Sequence, residues 1–211
     1  GPFNAYMVRF TASGDTLWSR ILPPPHQFLN FPSSVIETQN SDLVMNGYHQ
    51  VSGVDYAQVL RVNAGGVLQW ATQMPVNSQL LSVGECADGS LLASGVFEPG
   101  SAQSFMVKLT ASGDTVWTRF PDDSPIGAMD RSPAGGFFAL ASDSIPGFGM
   151  ELVVRTLDDD GMTIWENHFG TAGDDNTGYS IRATSDGGFV TGGFAMPPGG
   201  PNGIMVVKGL N

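Results

Sequence analysis

The sequence predicts an all-β chain: a β-propeller built from about four four-stranded repeats. Three observations carry this expectation. The first is a phrase that occurs four times and ends each time in tryptophan, at Arg9 to Trp18, Arg61 to Trp70, Lys108 to Trp117 and Arg155 to Trp165. The tryptophans follow one another at 52, 47 and 48 residues, and a period near fifty is that of a propeller or another repeat array. The second is composition. With 28 glycines, 14 prolines and only 14% charged residues among 211, the chain suits short strands and tight turns, and excludes helical bundles and coiled coils. The third is period-two alternation inside each repeat, the mark of β-strands. A β-sandwich would show turns at similar spacing but gives no reason for a four-strand period.

Each repeat divides into two hairpins. The leading strand of the first sets Tyr6, Val8 and Phe10 on one face and Met7 with Arg9 on the other; Phe105, Val107 and Leu109 against Met106 and Lys108 repeat the arrangement. Both faces are largely apolar, as expected of a sheet sandwiched between neighbouring sheets. Ser13-Gly14-Asp15, Gly65-Gly66, Ser112-Gly113-Asp114 and Asp160-Gly161 make the turns, with glycine supplying positive φ. The returning strand carries the tryptophan. Its fixed repeat position assigns Trp18, Trp70, Trp117 and Trp165 to the blade core rather than to sugar stacking.

The second hairpin turns at Asn40-Ser41-Asp42, Asp88-Gly89-Ser90, Ala134-Gly135-Gly136 and Asp186-Gly187-Gly188. In the strand after each turn, Gly47, Gly95, Ala141 and Gly193 share a position. Glycine inside a strand marks close approach by another backbone or ring, and the expected neighbour is the repeated tryptophan or the next blade. The basic residues follow the repeat too. Arg9, Arg61, Lys108, Arg155 and Lys208 are assigned one position, and Arg20 and Arg119 another. The tryptophan lies nine residues after the basic position, but ten in the fourth phrase, which implies a longer turn there.

The repeats fall at about 5–50, 56–98, 103–143 and 149–197, with a last strand at 203–211, all in one domain over 1–211. They hold seventeen strands, one more than four closed blades require. Either strand 16–22 pairs with the C-terminal sheet within 179–210 and closes the ring with one strand displaced, or the array is a fragment of a larger ring. Closure is the usual way to remove exposed edges.

These phrases resemble the propeller-forming repeats of bacterial secreted and cell-surface proteins. Those repeats run hydrophobic–Lys–hydrophobic, Gly–Asp or Gly–Asn, hydrophobic–Trp, then Phe-Gly-Gly-x-Gly-Asp-Asp, then Asp-Gly-Gly-Phe. The best stretch runs from Ile164-Trp165 through Phe169-Gly170 and Gly173-Asp174-Asp175 to Ser180-Ile181 and Asp186-Gly187-Gly188-Phe189. The second and third repeats lack the Phe-Gly-Gly-x-Gly-Asp-Asp segment, so no role tied to its acids repeats around the ring. The resemblance covers essentially the whole chain. It implies a propeller exported by bacteria as part of a longer multidomain protein: a non-catalytic scaffold or interaction module, secreted or at the cell surface, whose partner is a protein or carbohydrate there.

Charge and residue chemistry narrow the alternatives. A net charge of −11 repels nucleic-acid phosphates and anionic membranes, and no apolar run reaches the length of a membrane span. No signal-peptide pattern is present, and Gly1-Pro2 has the form of a protease-cleavage scar. The single cysteine, Cys86, permits neither an intramolecular disulfide nor a multi-cysteine zinc site; a small buried hydrophobe is expected. His26, His49 and His168 are too scattered to suggest a metal site. Asp158 and Asp160, and Asp174 and Asp175, offer the oxygens calcium takes, but neither cluster has EF-hand spacing and both make good Asx turns. No metal and no cofactor are therefore expected. The adjacent pairs Asp122/Asp123 and Asp174/Asp175 do not face each other across a cleft as glycoside hydrolysis requires, so no catalytic residue is assigned. An extracellular polysaccharide-acting enzyme and a calcium-stabilised adhesion domain remain the alternative functions.

The strand before each second-hairpin turn is expected to line the central channel. Aligning the turns puts Glu37, Glu85, Arg131 and Ala183 in one register and Ile36, Gly84, Asp130 and Arg182 in the next. Glu37, Glu85, Asp130, Arg131 and Arg182 are thus the candidate channel-lining binding residues; their mixed charge either holds a small polar ligand or neutralises itself. Thr16, Thr115 and Ser144 each follow an aspartate and precede an apolar residue. That order resembles an O-glycosylation acceptor pattern of some exporting bacteria.

Overall fold

The computed structural model describes residues 6–21, 31–97, 103–146, 149–171 and 173–210, and every regular element in them is a strand. β1 (Tyr6–Phe10) and β2 (Thr16–Ile21) form a hairpin. Three four-stranded antiparallel sheets follow in chain order. The first holds β3 (Phe31–Glu37), β4 (Leu43–Val51), β5 (Val54–Val62) and β6 (Leu68–Val76). The second holds β7 (Ser78–Glu85), β8 (Leu91–Phe97), β9 (Gln103–Leu109) and β10 (Thr115–Arg119). The third holds β11 (Ala128–Arg131), β12 (Phe137–Ile145), β13 (Gly149–Leu157) and β14 (Thr163–Phe169). A three-stranded sheet of β15 (Asp175–Ala183), β16 (Phe189–Met196) and β17 (Gly203–Gly209) ends the array. The fold is the expected β-propeller architecture of four-stranded blades. Among the described residues, no helix is long and apolar enough to cross a membrane.

The blades are out of phase with the sequence repeat by two strands. The Trp phrase closes each sheet rather than opening it, so β1–β2 stands where the last two strands of a blade stand. Pairing of 16–22 with the C-terminal sheet is not found: β2 ladders with β1 alone, and β15–β17 form a separate sheet. The array is open, and of the two expected arrangements the self-closed ring is excluded. A strand already in register as the third of its blade occupies each end, so neither β1 nor β17 can supply the other's missing partner.

The core lies between sheets, in four slabs. Met7 meets Met45, Leu60 and Val62. Val44 and Val59 meet Ala93, Val107 and Leu109. Leu92 and Met106 meet Phe137, Ala139 and Leu157. Phe138, Leu140 and Val154 meet Ile181 and Phe189. Each sheet thus has a front face toward the following sheet and a rear face toward the preceding one. This accounts for strands that are apolar on both sides.

The Trp-phrase turns all have one length. Thr11 N donates to Asp15 O, Asn63 N to Val67 O, Thr110 N to Asp114 O and Asp158 N to Met162 O, at 2.8–3.0 Å. The fourth turn is therefore not longer, which corrects the expectation. Instead the basic residue is displaced by one. Arg9, Arg61 and Lys108 lie opposite Trp18, Trp70 and Trp117, but Thr156 lies opposite Trp165. Period-two geometry then turns Arg155 onto the rear face.

Three of the four tryptophans behave as blade-core residues. Trp18, Trp70 and Trp117 are half-buried against the interblade clusters. The Trp18 indole N–H donates to Ala64 O at 2.9 Å and that of Trp70 to Ala111 O at 3.1 Å, in each case on the next blade's turn. Arg119 stacks over Trp117 at 4.1 Å. Trp165, by contrast, is 42% exposed, so the four rings are not equivalent. Trp18 and Trp70 seat on turn glycines: a Cβ on Gly66 would lie 3.1 Å from the Trp18 ring, and one on Gly113 2.7 Å from the Trp70 ring.

The strand glycines answer a different neighbour from the one expected. Opposite Gly47, Gly95 and Gly193 the innermost strand carries a β-bulge, between Pro32 and Ser34, Leu80 and Ser82, and Gly178 and Ser180. The bulge presses backbone onto the glycine. A Cβ there would stand 2.2, 2.2 and 1.9 Å from the carbonyl oxygens of Phe31, Gln79 and Thr177. At the fourth site β11 pairs regularly, and Ala141 takes the place of glycine.

Candidate binding site

The first strand of each blade runs along the inside of the arc, because the sheets pack face to face and converge there. Together β3, β7, β11 and β15 line a cavity of about 360 Å³, with Ser34, Glu37, Ser82, Asp130, Tyr179 and Arg182 among its walls. A second cavity of about 270 Å³ adjoins it and adds Glu85 and Arg131. All five channel candidates therefore border this inner space. Their registers are as read from the turns: Glu37, Glu85, Arg131 and Ala183 lie opposite Leu43, Leu91, Phe137 and Phe189.

Most of these side chains tie neighbouring sheets together. Arg9 of the β1–β2 hairpin donates to Glu37 of the first sheet at 2.7 Å. Glu85 accepts the backbone N–H of Gln39 at 2.7 Å. Asp130 accepts that of Ala183 at 2.7 Å. Arg131 forks onto both oxygens of Asp159, donating from its Nη2 at 3.3 Å, and lies 5.0 Å over the Phe137 ring. That guanidinium holds the Asp159 carboxyl below its ordinary value. Asp159 also accepts from Ala87 N at 3.0 Å, which fastens the third blade to the second. Arg182 differs. It is exposed, and its described hydrogen bond goes to the carbonyl of its own neighbour Ile181, at 2.7 Å. Ser82 meanwhile accepts from Met129 N at 2.9 Å, another tie across inner strands.

The acidic loop residues have structural partners as well. Asp158 accepts from the N–H groups of Asp160 and Met162, closing the turn as an Asx motif. Asp160 accepts from Lys108 of the preceding blade at 2.6 Å, a contact that raises the lysine's pKa. Asp175 accepts from Met150 N at 2.9 Å. Asp174 contributes its backbone carbonyl to Asn176 at 3.5 Å.

One cluster was not anticipated from the sequence. Asp143, Glu166 and His168 gather within metal-ligand reach of one another at the outer rim of the third blade. Arg155, only 3% exposed, sits with them. It donates to Glu166 at 2.5 Å, to Asp143 at 3.1 Å and to Ser124 O at 3.2 Å. This guanidinium holds the Glu166 carboxyl below its ordinary range. His168 bridges Glu151 at 3.1 Å and Glu166 at 3.0 Å. The cation the cluster already holds is thus a protein one. The available signal was the alternation of Glu166 and His168 along β14, combined with the one-residue displacement of Arg155.

Cys86 is fully buried, and burial pushes its thiol pKa up. Its Sγ faces Asp159 O at 3.5 Å. His49 is 6% exposed and stacked on Tyr56, and burial lowers its pKa. His26 lies outside the described residues. Thr16, Thr115 and Ser144 are all exposed.

No protein-family model and no curated protein matches this chain. Solved structures do resemble it. A protein of unknown function from Dyadobacter fermentans superposes with a TM-score of 0.67 at 14% identity, over 94% of this chain and 56% of its own. The Pan2 WD40 domain of Neurospora crassa gives 0.62 at 12%, over 90% and 50%. A protein of unknown function from Bacteroides caccae gives 0.54 at 12%, over 92% and 65%. At these identities the likeness is one of fold. The chain spans between half and two thirds of the length of these three structures.

Proposed function

We propose that this chain is a non-catalytic interaction module of a bacterial secreted or cell-surface protein. On this reading the blades present a rigid concave wall to a protein or carbohydrate partner. The observation that supports it is the commitment of the inner charges. Glu37, Glu85 and Asp130 each fasten one sheet to the next, and Arg131 holds Asp159 of its own sheet, which in turn binds the preceding one. A general acid or base must instead be free to exchange protons with a substrate. Arg182, whose described bond is to its own strand, is the lining group left to meet a ligand, and a carboxylate-bearing one fits a guanidinium fork. Export and surface location rest on the repeat resemblance.

Two assays on the purified chain test this. Incubation with plant, algal and bacterial polysaccharides should release no reducing ends. Release that disappears in Asp130→Asn would make the chain an enzyme instead. Binding to an array of acidic and neutral glycans and surface peptides should be selective and should weaken at least tenfold in Arg182→Ala. Selective binding that Arg182→Ala leaves unchanged would move the partner away from the inner wall.

A further inference from the structure

The seam between the second and third four-stranded sheets breaks the rule that the repeat sets. At the two seams before it the indole N–H crosses to the next blade's turn, from Trp18 to Ala64 O and from Trp70 to Ala111 O. Asp159 holds that turn position in the third sheet, and its carbonyl faces the Cys86 thiol at 3.5 Å instead. The Trp117 indole N–H is left without an acceptor among the described residues. The glycine seat is lost as well, since a Cβ on Gly161 would meet Met106 at 2.8 Å and not the Trp117 ring. Arg119 stands in the gap. Its guanidinium covers Trp117 at 4.1 Å, and its Nη1 donates to Asp160 O at 3.1 Å. Thr72, two residues after Trp70, simply donates to Gly113 O at 2.6 Å. Departures from a local rule concentrate at functional sites.

Two cavities adjoin this stack, of about 580 Å³ and about 400 Å³, and Trp117, Arg119 and Asp160 border both. Both volumes are those of small-ligand pockets. The walls mix fixed donors with fixed acceptors. Arg119 uses only Nη1 among the described residues, so Nε and Nη2 join the Trp117 N–H as open donors. Asp88 spends Oδ1 on Ser90, and Asp160 spends Oδ1 on Lys108. The Oδ2 atom of each is an open acceptor among the described residues. The smaller cavity adds an apolar wall, where Phe120 is 49% and Met162 57% exposed.

We infer that this seam is a saccharide site, taking two linked neutral sugar units across the two cavities. Sugar hydroxyls both donate and accept, which matches walls of mixed polarity. A carboxylate ligand would meet Asp88 and Asp160, and an ammonium would meet Arg119 and Lys108, so like-charge contacts disfavour both. Two neighbouring ring hydroxyls suit the guanidinium fork, and the apolar C–H face of a sugar ring suits Phe120. The site lies in the middle of the array and away from the inner wall, so it does not depend on the reading given above.

Titration of the isotope-labelled chain with cellobiose, laminaribiose, xylobiose, mannobiose and diacetylchitobiose tests this by magnetic resonance. The Trp117 indole N–H signal is assigned as the one absent from Trp117→Phe. At least one of these sugars should shift it to saturation at millimolar concentration, while the Trp18 and Trp70 signals stay in place. Calorimetry with that sugar should show about tenfold weaker binding in Trp117→Phe, which keeps an aromatic ring but loses the donor, and in Arg119→Met. Melting curves check folding; should Trp117→Phe be destabilised, Arg119→Met, altered at an exposed side chain, carries the comparison. A Trp117 signal that none of the five sugars moves would overturn the proposal. So would a sugar that both variants bind unchanged, or a response confined to digalacturonate or to short acidic or basic peptides.

Discussion

Thr156 lies directly across the ladder from Trp165, in the place where Arg61 lies across from Trp70. One residue of displacement therefore moves a guanidinium from the front of a blade to its rear. There Arg155, itself buried, becomes the centre of a part-exposed cluster, with Asp143, Glu166 and the Ser124 carbonyl as acceptors. Replacing Arg155 with Met should cost about 1.5–3 kcal/mol, because the carboxylates lose charge-assisted hydrogen bonds while keeping partial access to water. Arg155→Lys should not rescue this, since an ammonium lacks the planar fork that serves three acceptors. Urea midpoints measure both. A loss below about 1 kcal/mol, the range of surface pairs, would contradict the buried geometry.

The same cluster makes stability depend on pH in a stated direction. Arg155 depresses the folded-state pKa of Glu166. Its contribution is therefore complete above the unfolded carboxylate range, about 4.3, and is lost as pH falls through the folded value. The gap in stability between the unaltered chain and Arg155→Met should shrink as pH is lowered from about 6 to about 3. Denaturation midpoints across that range provide the test, and a gap that widens toward acid would reverse the assignment.

Gly95 lies under the bulge of β7, where a methyl group would stand 2.2 Å from Gln79 O and 2.8 Å from the Phe105 ring. Neither neighbour can retreat, since one is backbone and the other core. Gly95→Ala should thus cost about 3 kcal/mol, the upper end of ordinary overpacking. Gly89→Ala is the control. Gly89 has φ +80 with nothing near its missing Cβ, so only left-handed strain of about 1–2 kcal/mol applies. Equal losses in the two variants would show that the bulge is not what demands glycine.

These cases mark how far the sequence could be read. The blade architecture was legible because the Trp phrase, the turn glycines and the alternation repeat together. The inner-strand register of Glu37, Glu85 and Arg131 was legible because it is counted from tight turns. The bulges were not, because each shifts the alternation by one residue within a strand of only seven to nine, too short a run to show the change of phase. An offset counted back from the tryptophan misplaces Arg155, because the extra residue lies in the strand and not in the turn. Counting from the turn, whose hydrogen bonds fix its length, puts Thr156 in that position. The partnership of Arg155 with Asp143 and Glu166 needed three strands in register, which no single stretch of sequence reveals. Openness of the ring was likewise a matter of which strand each end presents.

The tryptophans should separate in a stability experiment. Trp70 packs on the slab between the first two four-stranded blades and hydrogen-bonds Ala111 O. Trp70→Ala should cost about 3–5 kcal/mol. Trp165, 42% exposed, has no blade turn across its face among the described residues, and its removal should cost about 1–2 kcal/mol. Acrylamide quenching gives an independent readout: Trp165→Ala should remove the most quenchable part of the emission. Comparable losses for the two substitutions would make the rings equivalent after all.

Surface modification offers the remaining test, and it bears on export. Thr16 and Thr115 begin β2 and β10 beside turns closed by Thr11, Ser13 and Asp15, and by Thr110, Ser112 and Asp114. Those bonds explain the Asp-Thr pair structurally, since aspartate closes the turn and a β-branched residue starts the strand. They also fix both hydroxyls at exposed hairpin tips, where a bulky glycan meets no steric cost. Ser144 is exposed too, near the end of β12, but its preceding Asp143 is held by Arg155. Protein purified from its native host should therefore carry hexose-type mass on Thr16 or Thr115, and cytoplasmic recombinant protein should not. Intact mass followed by peptide mapping reads this directly. Thr16→Val with Thr115→Val should remove the added mass, and because both side chains are exposed the melting temperature should barely move. A native mass equal to the bare polypeptide would remove this support for export, leaving the likeness of the repeats to carry it.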